Sequence, residues 1–522
     1  KESNPKENNL VNKIEEFIIQ KHRIILIAIL AFAFILRLKY MTVNAALWWD
    51  EADYLALAKH YGLGLPEIAA PWRARALPML LGIFYWLGAN ELIMRFVWVL
   101  LSVSGVLFTY IIGKRLYGKA VGLLSALFLS VYFEYLFWSA RFSLDVFVLV
   151  VYTAIMFLFW KGYVKQEGNK YLYIAAGLFG FGIFAYESIA FIFIIILLFL
   201  ILTERLNFLK KKQLWYALLI ALLVILPFAA YNQARLGHPY PRFEQQVALF
   251  TEEAPQNELS RPVKEIVLDI FTYAKSFPYL LKWPLFIAFA IGLSMFVNLF
   301  LGFDLLFKGK NPGLKRDLFI FLWGGIVLLL FSLIQAFSAW IYEPRFIFPM
   351  MPVVFIITAC GIVRIFNFIK KYNQLIAVIA VIALVSIGIF AQMTFADKLI
   401  KSKSDSFRPQ KEAGMWLKQN LQKDEPVIGC FMFLPFVYYT ERKAIGFTWQ
   451  NETQVEEILQ AHRPQFIVWD WHDPGCASDY PLQRKDKFLP MQAFFIDKEK
   501  TQPAVVIFQV IYKQDSGPPA ES

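Results

Sequence analysis

The chain has 522 residues, 58% of them hydrophobic and 17% aromatic, with a mean hydropathy of +0.50. A soluble domain is nearer about 45–50% apolar, so a water-soluble globular class is excluded. The net charge of +12 does not point to nucleic acid, because the basic residues sit in short clusters between apolar runs, as in cytoplasmic loops beside anionic lipid.

Residues 1–23 are polar and mixed in charge, and Lys21, His22 and Arg23 directly precede the first apolar run. This places a cytoplasmic segment ahead of a first span at 24–41, read as a retained signal anchor. Residues 42–91 read as a long outer loop opening on Trp48-Trp49-Asp50-Glu51-Ala52-Asp53-Tyr54. Residues 52–59 are expected to form an amphipathic helix lying in the interface. Gly62, Gly64 and Pro66 make a break, and Pro71 to Pro78 is a proline-bracketed stretch. Residues 79–87 form a short re-entrant or interfacial apolar segment.

Further spans are expected at 93–112, 120–137, 145–160, 171–185, 189–203 and up to 230, then at 284–307, 318–337, 346–363 and 374–394. Residues 231–283 make a second long outer loop. Basic clusters fall on every second loop, which supports about eleven spans, with Arg37 and Lys39 as strays. An odd count puts residues 395–522 outside. There, helical periodicity at 411–421 and 453–460 alternates with strands at 426–431, 465–470 and 504–510, a small α/β domain. The tail 514–522 reads as disordered. Of three cysteines, Cys360 lies in an apolar run, whereas Cys430 and Cys476 could pair; free thiols are the default. The expected architecture is a polytopic all-α membrane bundle spanning 24–394, with an extracytoplasmic α/β domain at 395–522.

This topology gathers unusual polar groups near the outer leaflet: Asp50, Glu51, Asp53, Arg73, Arg75, Glu134, Arg141, Asp145, Glu187, Tyr342, Glu343 and Arg345. Acids at such depth are costly and tend to be kept for a use. A carboxylate can act as a general base, and an arginine fork holds phosphate. Together they suit a lipid phosphate whose sugar is to be transferred.

Several motifs, taken in order, resemble those of the GT-C integral-membrane glycosyltransferases. The similarity is to the protein O-mannosyltransferases and lipid A aminoarabinose transferases of glycosyltransferase family 39. They are the Asp50-Glu51 pair, Gly88 to Arg95, Gly113 to Gly118, Ser139 to Asp145, and Glu343 to Pro352. The resemblance implies a polyprenyl-phosphate-sugar donor and inverting transfer outside the cytoplasm. It does not settle the acceptor among a protein, lipid A or another glycan, and the expected location is the plasma or inner membrane. Where many relatives carry Lys-Pro-Pro in the first outer loop, this chain has Trp72-Arg73-Ala74-Arg75-Ala76-Leu77-Pro78.

Asp50 is the candidate base toward the acceptor; its structural alternative is capping the following helix. Glu51 orients the base or the acceptor, or opens the helix. Asp53 is expected on a solvated surface. Arg345 is the candidate for the donor phosphate, against a snorkelling anchor. Tyr342 bonds the same phosphate or belongs to the aromatic belt. Arg141 and Asp145, four apart, pair on a helix or serve donor binding. Arg73 and Arg75 hold donor phosphate or lipid headgroups. Glu134, Glu187 and Glu343 are further candidates without an assigned step. A divalent metal is an open expectation: His238 and Glu244 are candidates to join Asp50, but the five histidines show no ligand spacing, and His472 reads as part of a turn. A transporter or flippase of a lipid-linked saccharide is the competing reading, though no internal repeat supports it. A non-catalytic scaffold presenting the outer domain would leave the buried acids without a role.

Overall fold

The computed structural model describes residues 5–67, 73–240, 263–302, 312–338, 342–422, 425–431, 433–471, 473–476, 480–497 and 499–512. The chain divides into two compact units, one comprising residues 1–42 and 92–401, the other residues 43–91 and 402–522.

The first unit is a helical bundle. Among the described residues nine helices are long and apolar enough to cross a membrane, or ten if the bent pair Lys119–Val131 and Phe133–Ser139 is one span. The polytopic all-α expectation holds, with a lower count than eleven. The difference is the helix Asn169–Ala185, whose 17 residues extend only about 25 Å at 1.5 Å per residue. The spans Leu144–Val164 and Pro344–Lys370 are 83% buried over their apolar windows, against 11% for Lys212–Leu236 and Gln374–Ser402. The former pair therefore forms the core of this unit and the latter pair its lipid-facing rim.

Two breaks interrupt the bundle where regular helix would be expected. Tyr132 leaves helical geometry at ψ 119°, and the two halves of its helix meet at 58°. Lys282 has φ 58° and ψ 151° inside Thr272–Leu293, between Pro278 and Pro284; each proline removes a backbone donor. Lys282 lies over the rings of Phe133, Tyr279 and Phe395 at 4.4, 4.1 and 3.5 Å. The two stray basic residues are accounted for within the same unit. Arg37 is buried, donates to the Ala33 and Ser130 carbonyls at 3.1 and 3.2 Å, and lies over the Tyr135 ring. Lys39 faces Asp397 at 3.5 Å.

The second unit joins the first long loop to the C-terminal residues. Its sheet runs β2-β1-β3-β5-β4, with β1 Val427–Cys430, β2 Ala444–Gly446, β3 Phe466–Asp470, β4 Phe488–Phe495 and β5 Pro503–Val510. β1 lies parallel to β2 and β3, whereas β5 is antiparallel to β3 and β4. The apolar run of β3 is buried throughout, as a central strand requires. β2, β4 and the helix Phe433–Thr440 are additions to the expected pattern. Cys430 and Cys476 form a disulfide, in place of the free thiols expected by default; β1 and the turn Pro474–Cys476 bring them together. The disordered tail expected at 514–522 lies outside the described residues.

The helix Trp49–Leu63 is packed inside this unit, contrary to the expected interfacial helix. It lies against Ala76–Trp86 and Phe433–Thr440. Gly62 and Gly82 face each other with no room for a side chain. Lys59 pairs with Glu441 at 2.7 Å, and the Tyr85 and Tyr438 hydroxyls meet at 3.1 Å. Glu51, Ala52, Asp53, Tyr54, Leu55, Leu57 and Ala58 are all buried, and the exposed apolar residues are at its ends, Trp49 and Leu63.

Close helix contacts in the first unit depend on glycine. A methyl group on Gly361 would meet the Ala288 carbonyl oxygen, and one on Gly292 the Ile357 carbonyl. Such small residues are what let membrane helices approach. Gly361→Ala is therefore expected to destabilise the protein by about 1–3 kcal/mol, read as a lowered midpoint of thermal unfolding in detergent. Gly325, with nothing within 4 Å of an added methyl, is the control: Gly325→Ala should leave the midpoint unchanged or slightly raised.

Candidate functional site

The site candidates fall into two constellations, one in each unit. In the first unit, Pro344 opens a 3-10 turn, Pro344–Met350, that leads into the helix Met351–Lys370. Its fixed φ sets the direction in which the next residue, Arg345, leaves the backbone. The Arg345 Nε lies 2.9 Å from Glu343 Oε2 and 3.6 Å from Asp145 Oδ2, with the side chain 14% exposed. Its guanidinium carbon is 4.3 Å from the Trp138 ring centre.

Asp145 is held in place by Ser143, the cap of helix Leu144–Phe159. The Ser143 hydroxyl accepts from the Asp145 backbone N–H at 3.2 Å and donates to Asp145 Oδ2 at 2.9 Å. Tyr342 packs on Tyr273 at 5.0 Å, and the Tyr273 hydroxyl donates to the Glu343 carbonyl at 3.3 Å. Glu134 is buried on the short helix that also carries Trp138, within electrostatic reach of Glu343, Lys282 and Arg345. The result is a largely buried guanidinium, planar and aromatic-backed, flanked by carboxylates. Such a fork can exchange one carboxylate for a phosphate oxygen.

In the second unit, Asp50 lies in the first turn of helix Trp49–Leu63, where the helix dipole favours an acid. The cap position is Trp48, so Asp50 is not the cap. Arg73 Nη2 donates to Asp50 Oδ1 at 2.9 Å, and Arg73 Nε contacts Asp53. The Asp50 side chain is 34% exposed and that of Asp53 is 0% exposed. Asp53 is thus the buried anchor of the pair, not the solvated surface residue expected, with the Arg73 guanidinium against its carboxylate. Burial pushes the Asp53 carboxyl up to about 6; Arg73 opposes this and Asp50 adds to it. Asp50 remains the accessible carboxylate, oriented by Arg73. Glu51 is buried beside it. Arg75 contacts Glu67 and the Tyr61 hydroxyl.

Asp50 and Arg345 belong to different units. Within the first unit the structure brings together Arg345, Asp145, Glu343 and, around them, Tyr342 and Glu134. Arg141 precedes the helix that starts at Leu144, so the expected spacing of a helical pair with Asp145 does not apply. Arg141 instead stacks on Phe137 at 3.8 Å and donates to its carbonyl at 3.3 Å. Glu187 starts a separate 3-10 turn, Glu187–Ala190. The sequence reading assigned Asp53 to a solvated surface and gave no role to Glu67, Trp138, Ser143 and Lys282. The three-residue spacing of Asp50 and Asp53 and the position of Lys282 between two prolines were the available signals. Glu244 and His472 lie outside the described residues, as do Trp340 and Ile341 of the outer turn. Among the described residues no group of three His, Cys, Asp or Glu side chains is placed to hold a metal ion.

Comparison with known proteins agrees with this architecture. A family model described as dolichyl-phosphate-mannose-protein mannosyltransferase matches residues 73–231. No curated protein matches the chain by sequence. Among solved structures, ArnT from Cupriavidus metallidurans bound to undecaprenyl phosphate superimposes with a TM-score of 0.61 at 13% identity, covering 92% of this chain and 97% of that one. Its apo state gives 0.63 with the same coverage. The Archaeoglobus fulgidus oligosaccharyltransferase tethered with an acceptor peptide gives 0.58 at 13% identity, covering 87% of this chain and 70% of that one. The chain has the GT-C fold, and the resemblance read from the sequence is met.

The raised Asp53 value has a consequence for stability. The folded state takes up this proton near pH 6, while an unfolded aspartate stays ionised to about pH 3.9. Protons therefore bind the folded state preferentially between these limits, so Asp53 contributes increasing stability as pH falls from about 6 to about 4. In Asp53→Asn, which leaves Arg73 its bond to Asp50, that contribution, on the order of 2–3 kcal/mol, should vanish. Unfolding free energies of both proteins in detergent across this range measure it as a difference in slope.

Proposed function

We propose that the protein transfers a sugar from a polyprenyl-phosphate-linked donor to an acceptor hydroxyl or phosphate, on a protein, lipid A or another glycan, outside the cytoplasm and with inversion. The observation that carries this reading is Arg345: a largely buried guanidinium fixed by Pro344, backed by Trp138 and faced by Asp145. An arginine at the end of a core span is costly unless it serves an anion. The undecaprenyl phosphate in the C. metallidurans ArnT structure supports a lipid phosphate as that anion.

In this reading the donor phosphate replaces the Glu343 carboxylate on the Arg345 fork, since Glu343, at 33% exposed, is the more exposed of its two carboxylate partners. Asp145 stays, held by Ser143, and keeps the guanidinium oriented. The acceptor oxygen attacks the anomeric carbon from the face opposite the phosphate. A new C–O bond forms as the glycosidic C–O bond breaks, and its electron pair leaves with the phosphate, whose added charge Arg345 stabilises. Where the acceptor is a hydroxyl, its proton passes to the Asp50 carboxylate. A phosphate leaving group needs no separate acid. Arg73 orients Asp50, and the buried Asp53 fixes Arg73. The extracytoplasmic side is supported by the alternation of basic clusters and by the disulfide of the second unit, since such bonds persist in oxidising compartments.

With a radiolabelled polyprenyl-phosphate sugar and purified protein, Asp50→Asn should lower kcat by about 10²–10⁴-fold with donor binding retained. Arg345→Ala should weaken donor binding by about 10–10²-fold. Glu343→Gln should leave donor binding equal or tighter, because it removes the competing carboxylate. Unchanged turnover in Asp50→Asn would remove it as the base. Flux of lipid-linked saccharide without transfer would indicate a transporter.

A further inference from the structure

The first unit contains a cavity of about 310 Å³ between the helices Leu144–Phe159, Asn169–Ala185, Phe191–Glu204 and Lys212–Leu236. Every residue lining it is apolar. Ala175, Ala176, Ala217 and Ala221 create the space by withholding side-chain volume. Beside it two of these helices touch closely: a methyl group on Gly180 would meet the Ala221 carbonyl. Ile155 and Phe159 line it, ten and fourteen residues beyond Asp145, or about 15–21 Å along the helix. It is therefore remote from the Arg345 constellation, at the other end of the same core helix.

The end away from the Gly180 contact is rich in cations and interface aromatics. Lys161 lies over the Tyr171 ring at 3.8 Å and Lys211 over Tyr163 at 4.8 Å, while Lys211 also pairs with Glu204 at 2.9 Å. Lys210 and Lys212 are exposed, and they flank Leu209, Leu214 and Trp215 of the cavity wall. Trp215 is 53% exposed, with its indole N–H donating to the Leu209 carbonyl at 2.8 Å, a headgroup-level anchor.

We propose that this cavity holds an acyl chain of an anionic phospholipid whose headgroup is bound by Lys210 and Lys212. An entirely apolar cavity within a bundle gains nothing from water, and hydrocarbon is what surrounds it. The exposed lysines beside its Leu209, Leu214 and Trp215 wall select negative charge, as basic pockets between membrane helices do. The position opposite the donor-phosphate constellation assigns the site to the other leaflet, the one on the side of the basic loops. The site is independent of the proposed sugar transfer.

The test uses the purified full chain and native mass spectrometry with dioleoyl phosphatidylglycerol and dioleoyl phosphatidylcholine. Wild type is expected to retain phosphatidylglycerol at least about tenfold better. Ala217→Phe fills the cavity and should abolish the bound lipid while the lipid-free unfolding midpoint stays near wild type. Lys210→Gln with Lys212→Gln alters only exposed side chains and should lose the preference while still binding either lipid. Equal retention of the two lipids by wild type, or a preference that survives the double lysine change, would overturn the proposal. Displacement of phosphatidylglycerol by undecaprenyl phosphate, blocked by Ala217→Phe, would overturn it in favour of a polyprenyl occupant.

Discussion

A guanidinium or carboxylate withdrawn from water is held only beside a counter-charge or a set of hydrogen-bond partners, and both candidate constellations are consequences of that constraint. Arg37 meets it with carbonyls and an aromatic face, and its role is structural. Arg73 meets it with two carboxylates, one buried and one accessible. Arg345 meets it with Asp145, which is locked by Ser143, and with Glu343, which is partly exposed. The three differ in how replaceable their partners are. Arg73 and Arg345 each keep one buried partner and one about a third exposed, but Arg345 alone of the three stands at the head of a core span, where its exposed partner can yield to an incoming anion.

The irregular backbone of the first unit follows from the same economy of polar groups. Non-helical segments at membrane depth survive only where protein covers them. Tyr132, at the bend, is fully buried and packs edge-on against Phe348 and Phe355. The Pro344–Met350 turn abuts the same cluster, since Phe348 also meets Tyr135. The bend at Tyr132 and the turn before Met351 therefore share one aromatic core. That shared packing places Trp138 and Arg345 in register, so the site geometry depends on rings far less exposed than the charges they support.

Much of this was legible in the sequence. Apolar runs marked the membrane-spanning helices. Asp50 and Arg345 stood out as charges at the ends of apolar runs. What was not legible has physical reasons. Helix Trp49–Leu63 has an interfacial pattern, yet it packs against Ala76–Trp86 and Phe433–Thr440, whose own apolar patterns read separately in the sequence. The short strand β2 has three residues, too few for a periodicity. The pairing of Arg73 with Asp50 spans 23 positions, and no local spacing encodes it.

The span count shows a more general limit. In water, a polar stripe reports which side of a helix faces solvent. In lipid, both sides are apolar, and the pattern says nothing of rotation about the axis. Lys212–Leu236 and Leu144–Val164 are alike in apolar character but differ in burial, from 11% to 83%. The difference lies in small residues and rare polar ones. Gly180 and Ala221 set where two helices touch, and the alanines beside them leave a void that longer side chains would fill. Asp145 and Ser143 fix which side of their helix meets Arg345. In a chain of this composition the structural information is therefore concentrated in its smallest and its most polar residues, and the abundant Leu, Ile and Phe supply cohesion without register.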